Sequence, residues 1–409
     1  MNETKKRILY LSLTGMSEPL GKSQVLEYLY DIVNFYDVEI LSCEKPKTFK
    51  LEPELGKKIS GFGICWHHIS YSNRFGLISV VLQFLRFFVT AVFCTLKRKP
   101  EIIHARSLIP AGVAVFVKFI FRVKVLFDIR GFFIDEKVDS GQIKKNSPLY
   151  RILKLFERFV YSRSDHIVTL TKRGKEIVIK EFNIKEESVT VIPTCVNTKL
   201  FKPVGKEINK VALRKELDLP NNKIIVHHGE VRGWYDFESE VLLFKTIWNQ
   251  DREIVFLILN KFQHAYIKDV LQKHDIEKES YLLRNVDFNQ IPFYLNACDC
   301  SLFFIKPTYS KQASHPTKFA ENVACRLFSI SNYGVGDMDY YVTTYKTAYL
   351  VDLAKLHSSL NKTAAEVLAI INNPTQQTLN IAYEKLTQEC FSNEIAVERY
   401  LSIYKKLIL

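Results

Sequence analysis

The chain has 409 residues, which is enough for two domains of ordinary size. Its 47% hydrophobic and 25% charged residues are typical of a globular protein with large cores and argue against wholesale disorder. The formal net charge of +13 favours anionic partners such as nucleotides or phospholipid headgroups. Nucleic acid is not expected as a partner, because the basic residues are dispersed and no binding motif is present.

Cysteine usage and the chain start indicate a cytosolic protein. Of the eight cysteines, only Cys298 and Cys300 are close in sequence, and C-x-C alone lacks the paired spacing of a zinc site. Buried reduced thiols are therefore expected. The opening MNETKKRILYLSL combines a charged start with a short apolar run and has no small-residue cleavage site, so no signal peptide is expected.

In chain order, short apolar runs alternate with helix-like segments. Each run predicts a buried strand, and the first run leads into a helix predicted over residues 23–36. The predicted strands of a first series are residues 7–13, 37–44, 100–107, 123–131, 164–171 and 188–196. Those of a second series are residues 222–230, 252–260, 280–286, 299–306, 327–332 and 347–352. This alternation predicts an α/β protein with two doubly wound parallel sheets, separated near residues 192–205.

Functional side chains are expected in the loops after the strands, because ligands bind at the carboxyl ends of parallel strands. Gly15 and Gly21 follow the first strand and would let the backbone approach a ligand, although the G-x-G-x-x-G fingerprint is absent. The charged residues in later loops of the first series are Arg106, Arg130, Asp135 and Glu136. In the second series, Gly229, Arg232 and Gly233 follow a strand. Solvation or helix capping explains each residue equally well on its own.

The segment SHPTKFAENVACRLFSISNYGVGD, residues 314–337, places Thr317 and Lys318 at a predicted helix start and Glu321 one turn later. A helix start with a lysine suits a phosphate, because its backbone N–H groups are unpaired and the helix dipole is positive there. An ionised carboxylate one turn on suits a sugar diol, since it can accept two hydroxyl hydrogen bonds. The alternative is purely structural, with Thr317 as the N-cap and Glu321 near the helix dipole.

Five segments together resemble bacterial family 4 glycosyltransferases of the GT-B fold, group 1 type. They are ILYLSLTGMSEPLGKSQVLEYL, IIHARS, LFDIRGFFIDE, VIPTCVNTKLF and SHPTKFAENVAC. The resemblance implies two Rossmann-like domains facing a cleft, a UDP- or GDP-linked sugar donor held mainly by the second domain, and transfer with retention of anomeric configuration. It implies no cofactor and no required metal. We expect an acceptor-binding domain over residues 1–200, a nucleotide-sugar domain over residues 201–385, and a final helix over residues 386–409 that packs back toward the first domain.

The resemblance also assigns roles to residues. Lys318 and Thr317 would hold the diphosphate, and Glu321 the ribose hydroxyls. The donor-binding residues that it implies are Gly15, Arg284, Val286, Thr317, Lys318 and Glu321, with Asn285 beside them at the base. The residues that it implies for catalysis are Arg130, Arg232 and Lys318. Those expected on the acceptor side are Gly21, Arg106 and Asp135.

Two departures from the family pattern concern how the donor sugar is held. Many members carry a glutamate eight residues before the one at Glu321, and this chain has Ala313 there. The family usually has a basic residue directly after the glycine of HHG, and this chain has Glu230 there. Lys318, Arg232 and the helix dipole would supply the charge that stabilises the leaving diphosphate, and no D-x-D motif follows a strand in a donor-facing loop.

The stretch from Phe75 to Leu96 is 22 residues long and nearly all apolar. About 20 such residues can span a bilayer. Gln83 and Arg86 in its middle make a span costly, so a helix covering the first sheet is the first interpretation. The second is an apolar face with basic flanks on an anionic membrane surface. We expect a cytoplasmic protein attached peripherally to the inner membrane.

Three functions are consistent with these patterns. The first is a glycosyltransferase that acts on a lipid-linked or surface-polysaccharide acceptor, such as lipopolysaccharide or capsule. The second is a GT-B nucleotide-sugar epimerase, which fits less well because its acid and base groups are not evident in the matching loops. The third is a non-catalytic GT-B-like binding partner, which the residues Ala313 and Glu230 favour.

Overall fold

A computed structural model describes residues 5–71, 77–204, 209–373 and 380–409. The chain forms two compact units, one of Met1–Cys195 with Asn393–Leu409 and the other of Val196–Ser392. The sequence placed the divisions after residues 200 and 385, five residues later and seven residues earlier than the structure has them. We call the two units the N-terminal and the C-terminal unit.

The N-terminal unit is built on a seven-stranded sheet in which every pair of neighbouring strands is parallel. Its strands are β1 (Arg7–Ser12), β2 (Asp37–Glu44), β3 (Cys65–Ser70), β4 (Ile102–Arg106), β5 (Lys124–Asp128), β6 (His166–Thr169) and β7 (Val189–Val191). They lie in the order β3-β2-β1-β4-β5-β6-β7, so the strand order reverses between β1 and β4. This is the doubly wound arrangement expected from the sequence, with β3 as an additional edge strand.

The crossover segments of the N-terminal unit are helical. They are Pro19–Gly21, Lys22–Leu26, Glu27–Ile32, Pro46–Lys50, Leu55–Gly61, Leu77–Arg98, Leu108–Ile120, Phe133–Asp139, Pro148–Arg163, Lys172–Phe182 and Glu186–Ser188. The single helix predicted over residues 23–36 is a π-helical turn at Lys22–Leu26 that continues as an α-helix to Ile32.

The last helix of the chain, Asn393–Ile408, belongs to the N-terminal unit. Its inner face packs against β1, β2 and the helix Glu27–Ile32 in one continuous core. The Tyr404 hydroxyl lies 2.7 Å from His104 Nδ1, and the Tyr400 hydroxyl donates to Asp128 Oδ2 over 3.3 Å. A segment remote in sequence thus completes the core under β4 and β5.

The helix Leu77–Arg98 has one buried and one exposed face. Its buried residues include Phe87, Ala91, Cys94 and Thr95, which recur with the helical period. Large apolar residues on its outer side are Leu82, Leu85, Val89, Phe93 and Leu96. Among the described residues, no helix is long and apolar enough to cross a membrane. Arg74, Phe75 and Gly76, which belonged to the predicted stretch and its flank, lie outside the described residues.

The C-terminal unit has a six-stranded sheet that is also entirely parallel. Its strands are β8 (Lys223–His228), β9 (Ile254–Leu259), β10 (Tyr281–Arg284), β11 (Cys300–Leu302), β12 (Phe328–Asn332) and β13 (Ala348–Val351). The order β10-β9-β8-β11-β12-β13 reverses between β8 and β11. The loops after these two strands are therefore where a ligand is expected.

Helices cover both faces of this second sheet. They are Lys210–Glu216, Phe237–Gln250, His264–Lys273, Lys278–Ser280, Phe288–Gln290, Ile291–Ala297, Tyr309–Ala313, Thr317–Ala324, Met338–Tyr345, Leu356–Asn372, Asn380–Leu386 and Thr387–Phe391. Two buried apolar clusters, one on each face, hold the sheet between the helices. The two parallel-sheet α/β domains predicted from the sequence are confirmed.

Candidate functional site

The helix Thr317–Ala324 begins near the reversal point of the C-terminal sheet, on the crossover from β11 to β12. Pro316 occupies the N-cap position and Thr317 is the first helical residue. The structural alternative in which Thr317 is the N-cap is therefore wrong. Seven of the eight helical residues are buried, among them Lys318 and Glu321. Two ionisable groups inside such a helix need partners, and both face the end of β8.

Lys318 is held against the loop that follows β8. Its ammonium group donates a hydrogen bond to the Glu230 carbonyl over 2.8 Å and lies 3.3 Å from the centre of the Tyr235 ring. Only 4% of the residue is exposed. Burial lowers the pKa of Lys318 to about 7, although three glutamates, Glu240 first among them, oppose this shift. A bound anion would favour the charged form, so this lysine is poised to bind a phosphate.

Gly229 forms the turn that brings the Glu230 carbonyl to Lys318. Its φ is +86°, a region that L side chains rarely adopt, and a Cβ atom would lie 3.4 Å from Lys318 Cε. Its carbonyl accepts a hydrogen bond from Asn260 Nδ2 over 2.8 Å. The chain uses the backbone of the next residue, Glu230, to bind Lys318, whereas the Glu230 side chain accepts from Gln263 Nε2 over 2.6 Å. Glu230, which departs from the family pattern, thus contributes its backbone carbonyl to the binding of Lys318.

Glu321 faces the ring of His228. The Asn322 amide donates to Ser329 Oγ over 3.0 Å, which turns its oxygen toward His228 Nε2 at 3.1 Å. Burial, assisted by Lys318, lowers the pKa of His228 well below its usual value, so the neutral ring donates from Nε2. The unprotonated Nδ1 then lies 3.5 Å from Glu321 Oε2. Burial also raises the pKa of Glu321 to about 7, although Lys318 opposes it.

A second histidine and carboxylate, His227 and Glu240, hold the loop that follows β8. His227 Nε2 lies 3.1 Å from the Glu230 carbonyl, the same oxygen that binds Lys318. With Nε2 donating, Nδ1 is the acceptor for Glu240 Oε2 at 2.5 Å. Burial raises the pKa of Glu240 well above its usual value, which keeps a proton in this contact. The Phe304 backbone N–H donates to the other Glu240 oxygen over 2.9 Å and so links β11 to β8.

Of the other residues predicted for the donor, Arg232 follows β8, and Arg284 and Val286 lie at or just after the end of β10. Arg232 is exposed and stacks on Tyr266, 4.3 Å from the ring centre. Arg284 ends β10 and pairs with Asp218 at 3.3 Å, whereas the Val286 side chain is buried in the core. Their roles at the base and the phosphates stay predictions.

Ala313 is buried and ends the 3₁₀ turn Tyr309–Ala313. Its methyl group stands where many family members place a carboxylate. Lys311, two residues earlier, is also buried, and its ammonium nitrogen lies 3.9 Å from the centre of the Trp234 ring. In the turn where the resemblance implies an acid, this chain has a cation, and the indole of Trp234 from the loop after β8 packs against it.

In the N-terminal unit, Gly15 and Gly21 allow the loop after β1 to fold upon itself. A Cβ atom at Gly21 would lie 2.0 Å from the Gly15 carbonyl oxygen, and one at Gly15 would lie 2.7 Å from Glu44 Oε2. Glu44 accepts hydrogen bonds from the backbone N–H groups of Met16 and Ser17 over 2.6 and 3.1 Å. Internal packing thus accounts for both glycines, and their predicted contacts with donor and acceptor stay untested.

Arg106 and Arg130 converge on shared partners at the ends of β4 and β5. Each donates to Gln24 Oε1, over 3.0 and 2.9 Å, and each lies within 4 Å of an Asp128 oxygen. Burial alone would raise the pKa of the Asp128 carboxyl, but Arg130, with His104 and Arg106, reverses the shift and lowers it. Two guanidinium groups share one carboxylate here, so the cluster carries excess positive charge at the strand ends.

Asp135 is not in a loop but in the helix Phe133–Asp139, where it is buried. Lys154 lies 3.0 Å from it and also pairs with Glu157. Burial raises the pKa of Glu157 to about 7, although Lys154 opposes this. Asp135 is thus part of an internal ion-pair group, and an acceptor contact would have to compete with Lys154.

Residues 34–200 match the family model Glycosyltransferase Family 4. Most of the N-terminal unit thus resembles a family 4 glycosyltransferase domain. This match confirms the resemblance seen in the sequence, since it covers the IIHARS, LFDIRG and VIPTCVNTKLF segments. No curated protein sequence matches the chain.

Solved structures resemble the chain over nearly its full length. HepE from Anabaena, in complex with UDP, has a TM-score of 0.72 at 13% identity and covers 98% of this chain and 100% of its own. The apo form of the lipopolysaccharide outer core galactosyltransferase WaaB has a TM-score of 0.64 at 10% identity, covering 98% and 99%. A Listeria monocytogenes protein assigned as a UDP-N-acetylglucosamine 2-epimerase has a TM-score of 0.60 at 12% identity, covering 98% and 96%. These likenesses show that the chain has the GT-B fold.

Sequence reasoning found Lys318 and Glu321 but missed the residues that hold them. His227, His228, Tyr235 and Glu240 are all close to the pair. The HHG run after a predicted strand was a signal for the two histidines, because residues at the carboxyl end of β8 face the reversal point. Nothing local in the sequence marks Tyr235 or Glu240, whose contacts depend on the packing of separate segments.

Proposed function

We propose that the protein is a retaining glycosyltransferase that moves a sugar from a UDP- or GDP-linked donor to a lipid-linked or surface-polysaccharide acceptor. The observation that carries this proposal is the buried pair of Lys318 and Glu321 on one helix beside the Gly229 turn. A buried cation one helical turn from a buried carboxylate suits a diphosphate attached to a ribose. The binding of UDP by HepE, which has the same fold, supports a nucleotide donor.

Within the donor site, Lys318 would hold the diphosphate together with the helix start at Thr317. The Glu321 carboxylate would accept hydrogen bonds from both ribose hydroxyls, after losing the proton that its raised pKa favours in the free protein. Arg284 at the end of β10 would lie at the base, and Arg232 would reach the phosphates after leaving Tyr266. The choice between uracil and guanine rests with this base region.

In the reaction, the bond from the anomeric carbon to the diphosphate oxygen breaks and a bond to the acceptor oxygen forms on the same face of the sugar. The acceptor's proton passes to the departing phosphate oxygen. Negative charge grows on the diphosphate as the bond breaks, and Lys318 with the helix dipole would stabilise it without a metal or other cofactor. Removing one such contact typically costs about 3–4 kcal/mol of transition-state stabilisation.

The N-terminal unit would bind the acceptor. The excess positive charge of Arg106 and Arg130 suits a phosphate-bearing lipid carrier or an acidic glycan. The outward apolar row on the helix Leu77–Arg98 supports attachment to the inner face of the membrane, where a lipid-linked acceptor would be found. WaaB, described as a lipopolysaccharide galactosyltransferase, is a relative in fold whose name points the same way.

Incubation of the purified protein with a panel of UDP- and GDP-sugars tests this function. We expect slow release of nucleoside diphosphate from one donor, reduced about 100-fold or more by Lys318→Ala. The control Lys362→Ala, which changes a highly exposed lysine on another helix, is expected to retain full turnover. Glu321→Ala is expected to weaken UDP binding and to reduce the preference for UDP over 2′-deoxy-UDP. Loss of turnover with a chelator, restored by manganese, would contradict the metal-free mechanism.

Two other functions are separated by the same panel. An epimerase would convert a UDP-sugar to its epimer, which nuclear magnetic resonance detects without any release of UDP. A non-catalytic binding partner would bind nucleotide without turning over any donor. Ala313, which replaces a family carboxylate by a methyl group, favours this last alternative.

A further inference from the structure

A cluster of metal-ligating side chains lies at the edge of the N-terminal sheet, on strands that the donor and acceptor proposals do not use. Cys65 and His67 both belong to the edge strand β3, and Glu39 belongs to its neighbour β2. Glu39 is directly opposite Cys65 in the parallel register. Side chains two residues apart on a strand share a face, so all three point to the same side of the sheet.

The three ligand atoms are already close together. His67 Nε2 lies 2.5 Å from Glu39 Oε1 and 3.5 Å from Cys65 Sγ. Each pair among the three atoms lies within 4.8 Å. In a tetrahedral zinc site, with bonds of roughly 2.0–2.3 Å, ligand atoms are about 3.3–3.6 Å apart. The cysteine–histidine distance falls in that range, and the histidine–glutamate pair needs to open by only about 1 Å to match it.

We propose that Glu39, Cys65 and His67 bind a zinc ion. Thiolate, imidazole and carboxylate are the three ligand types that zinc prefers in proteins, whereas magnesium and calcium avoid sulfur. The thiol of Cys94, on the helix Leu77–Arg98, hydrogen bonds with Glu39 and borders the cluster with a second sulfur. This set of side chains is a softer set of ligands than the all-oxygen sites that bind magnesium and calcium.

Solvent access and the contact of Arg98 with Glu39 agree with a metal site. The His67 side chain is one-third exposed, so an ion can enter from solvent, whereas Glu39 is almost completely buried. Arg98 Nε lies 3.6 Å from Glu39 Oε2, the oxygen that does not contact His67. Arg98 would thus orient the carboxylate from outside while the other oxygen binds the ion, as partners of metal-ligating carboxylates commonly do.

A simple ion pair between His67 and Glu39 is the alternative. It accounts for the short contact between these two residues and gives no role to Cys65. The two explanations differ in what Cys65 does, because an ion pair survives the loss of the thiol and a zinc site does not. Cobalt is a suitable probe, since cobalt bound by a thiolate shows a sulfur-to-metal charge-transfer band in the near ultraviolet.

The experiment uses the full chain, stripped with a chelator, dialysed and kept reduced with a phosphine. We expect one cobalt ion per chain with a charge-transfer band, which zinc then displaces, and a rise in melting temperature with zinc. Cys65→Ser and His67→Gln should lose the band. Zinc binding should weaken by more than the roughly 10–100-fold seen when a residue that only orients a ligand is removed.

The matched control is His68→Ala, the next residue on the same strand. Its ring points to the other face of the sheet and contacts Phe49 and Trp66, so metal binding is expected to stay unchanged. His67→Cys replaces one ligand atom by another and should keep zinc bound. Absence of the band in the wild type would overturn the proposal. Equal zinc affinity in Cys65→Ser and the wild type would also overturn it. So would a His67→Cys variant that binds zinc as weakly as His67→Gln does. None of these readouts depends on sugar transfer.

Discussion

The Lys318 ammonium nitrogen lies 3.3 Å from the centre of the Tyr235 ring and donates a hydrogen bond to a backbone carbonyl. A lysine that is nearly fully buried is therefore held by an aromatic face and a peptide oxygen, both of which are uncharged. Such partners fix the position of the cation without neutralising it. A doubly charged diphosphate can then approach a cation that is already oriented.

Replacing Tyr235 by leucine should remove the cation–π attraction, which is worth about 2 kcal/mol at a desolvated site. We expect UDP-sugar affinity at pH 7 to fall about 10–30-fold and the pKa of Lys318 to fall further, because the charged form loses a stabilising contact. Tyr235→Phe keeps the ring and should bind nearly as the wild type does. Calorimetry with both variants tests this. Equal UDP-sugar affinities of Tyr235→Leu and Tyr235→Phe would rule out the cation–π contact as a source of binding energy.

Donor affinity should depend on pH in a bell shape with its maximum near pH 7. Below that pH, Glu321 is protonated and cannot accept two ribose hydroxyls, because burial raises its pKa to about 7. Above it, Lys318 loses its proton, because burial lowers its pKa to about 7. Glu321→Gln should flatten the acidic limb and Lys318→Met the alkaline limb. A UDP-sugar should be used, since its diphosphate has no terminal phosphate proton. A flat wild-type profile from pH 5.5 to 8.5 would contradict the assignment.

Two glycines on one loop separate backbone strain from contact with Lys318. Both Gly229 and Gly233 have positive φ, +86° and +70°, so alanine at either should cost about 1–2 kcal/mol of stability. Only at Gly229 would the added methyl group meet Lys318, whereas nothing lies within 4 Å at Gly233. Gly229→Ala adds a methyl group in contact with Lys318 and disturbs the turn that carries the Glu230 carbonyl, so it should weaken donor binding, whereas Gly233→Ala should not. If both variants bind the donor equally well, Gly229 is required only for its backbone conformation and not for donor binding.

Removing the Asp128 carboxylate should destabilise the N-terminal unit strongly. Arg106 and Arg130 would be left without their shared buried counter-charge, and breaking such a group typically costs about 3–5 kcal/mol. Denaturant unfolding of Asp128→Ala, followed by a probe in the N-terminal unit, measures this loss. Glu186→Ala, which removes an exposed carboxylate in the same unit, is the control and should change stability by less than about 0.5 kcal/mol. A similarly small change for Asp128→Ala would show that other groups can balance the charges of Arg106 and Arg130.

Binding to anionic vesicles should require the outward apolar row of the helix Leu77–Arg98. Val89→Ser with Phe93→Ser reduces the apolar area of this exposed face and leaves the buried residues of the helix in place. We expect the wild type to float with anionic vesicles at low salt and to dissociate partly at high salt, because the basic contribution is screened. The double variant should stay in solution at both salt concentrations. If the wild type fails to bind at low salt, the row has another purpose.

Strand-like apolar runs made most of the fold predictable from the sequence. Residues 37–44 were predicted as a strand with the bounds that the structure gives to β2. The edge strand β3 was not predicted, because Trp66, His67 and His68 break the apolar run on which the other predictions depended. The zinc proposal was out of reach for the same reason, since it requires knowing that Glu39 is opposite Cys65 in the register.

The site was predictable where one helix carries two functional residues and not where separate segments meet. Lys318 and Glu321 are three residues apart, so helical spacing alone brings them together. Tyr235 and Glu240 reach them from another loop and another helix, and only tertiary packing determines that. The glycines after β1 were read as space for a ligand, whereas Gly21 is tightly packed against the Gly15 carbonyl.

The placement of Tyr400 and Tyr404 in the N-terminal unit has a consequence for how the protein is made. During translation, β1 to β7 leave the ribosome some 200 residues before the helix that closes their core. Until Asn393–Ile408 emerges, the apolar face around His104 and the helix Glu27–Ile32 is uncovered, while the C-terminal unit already has all of its own segments. The unit that is synthesised first is therefore the last to be completed, and its uncovered apolar face favours aggregation of the nascent chain during that interval.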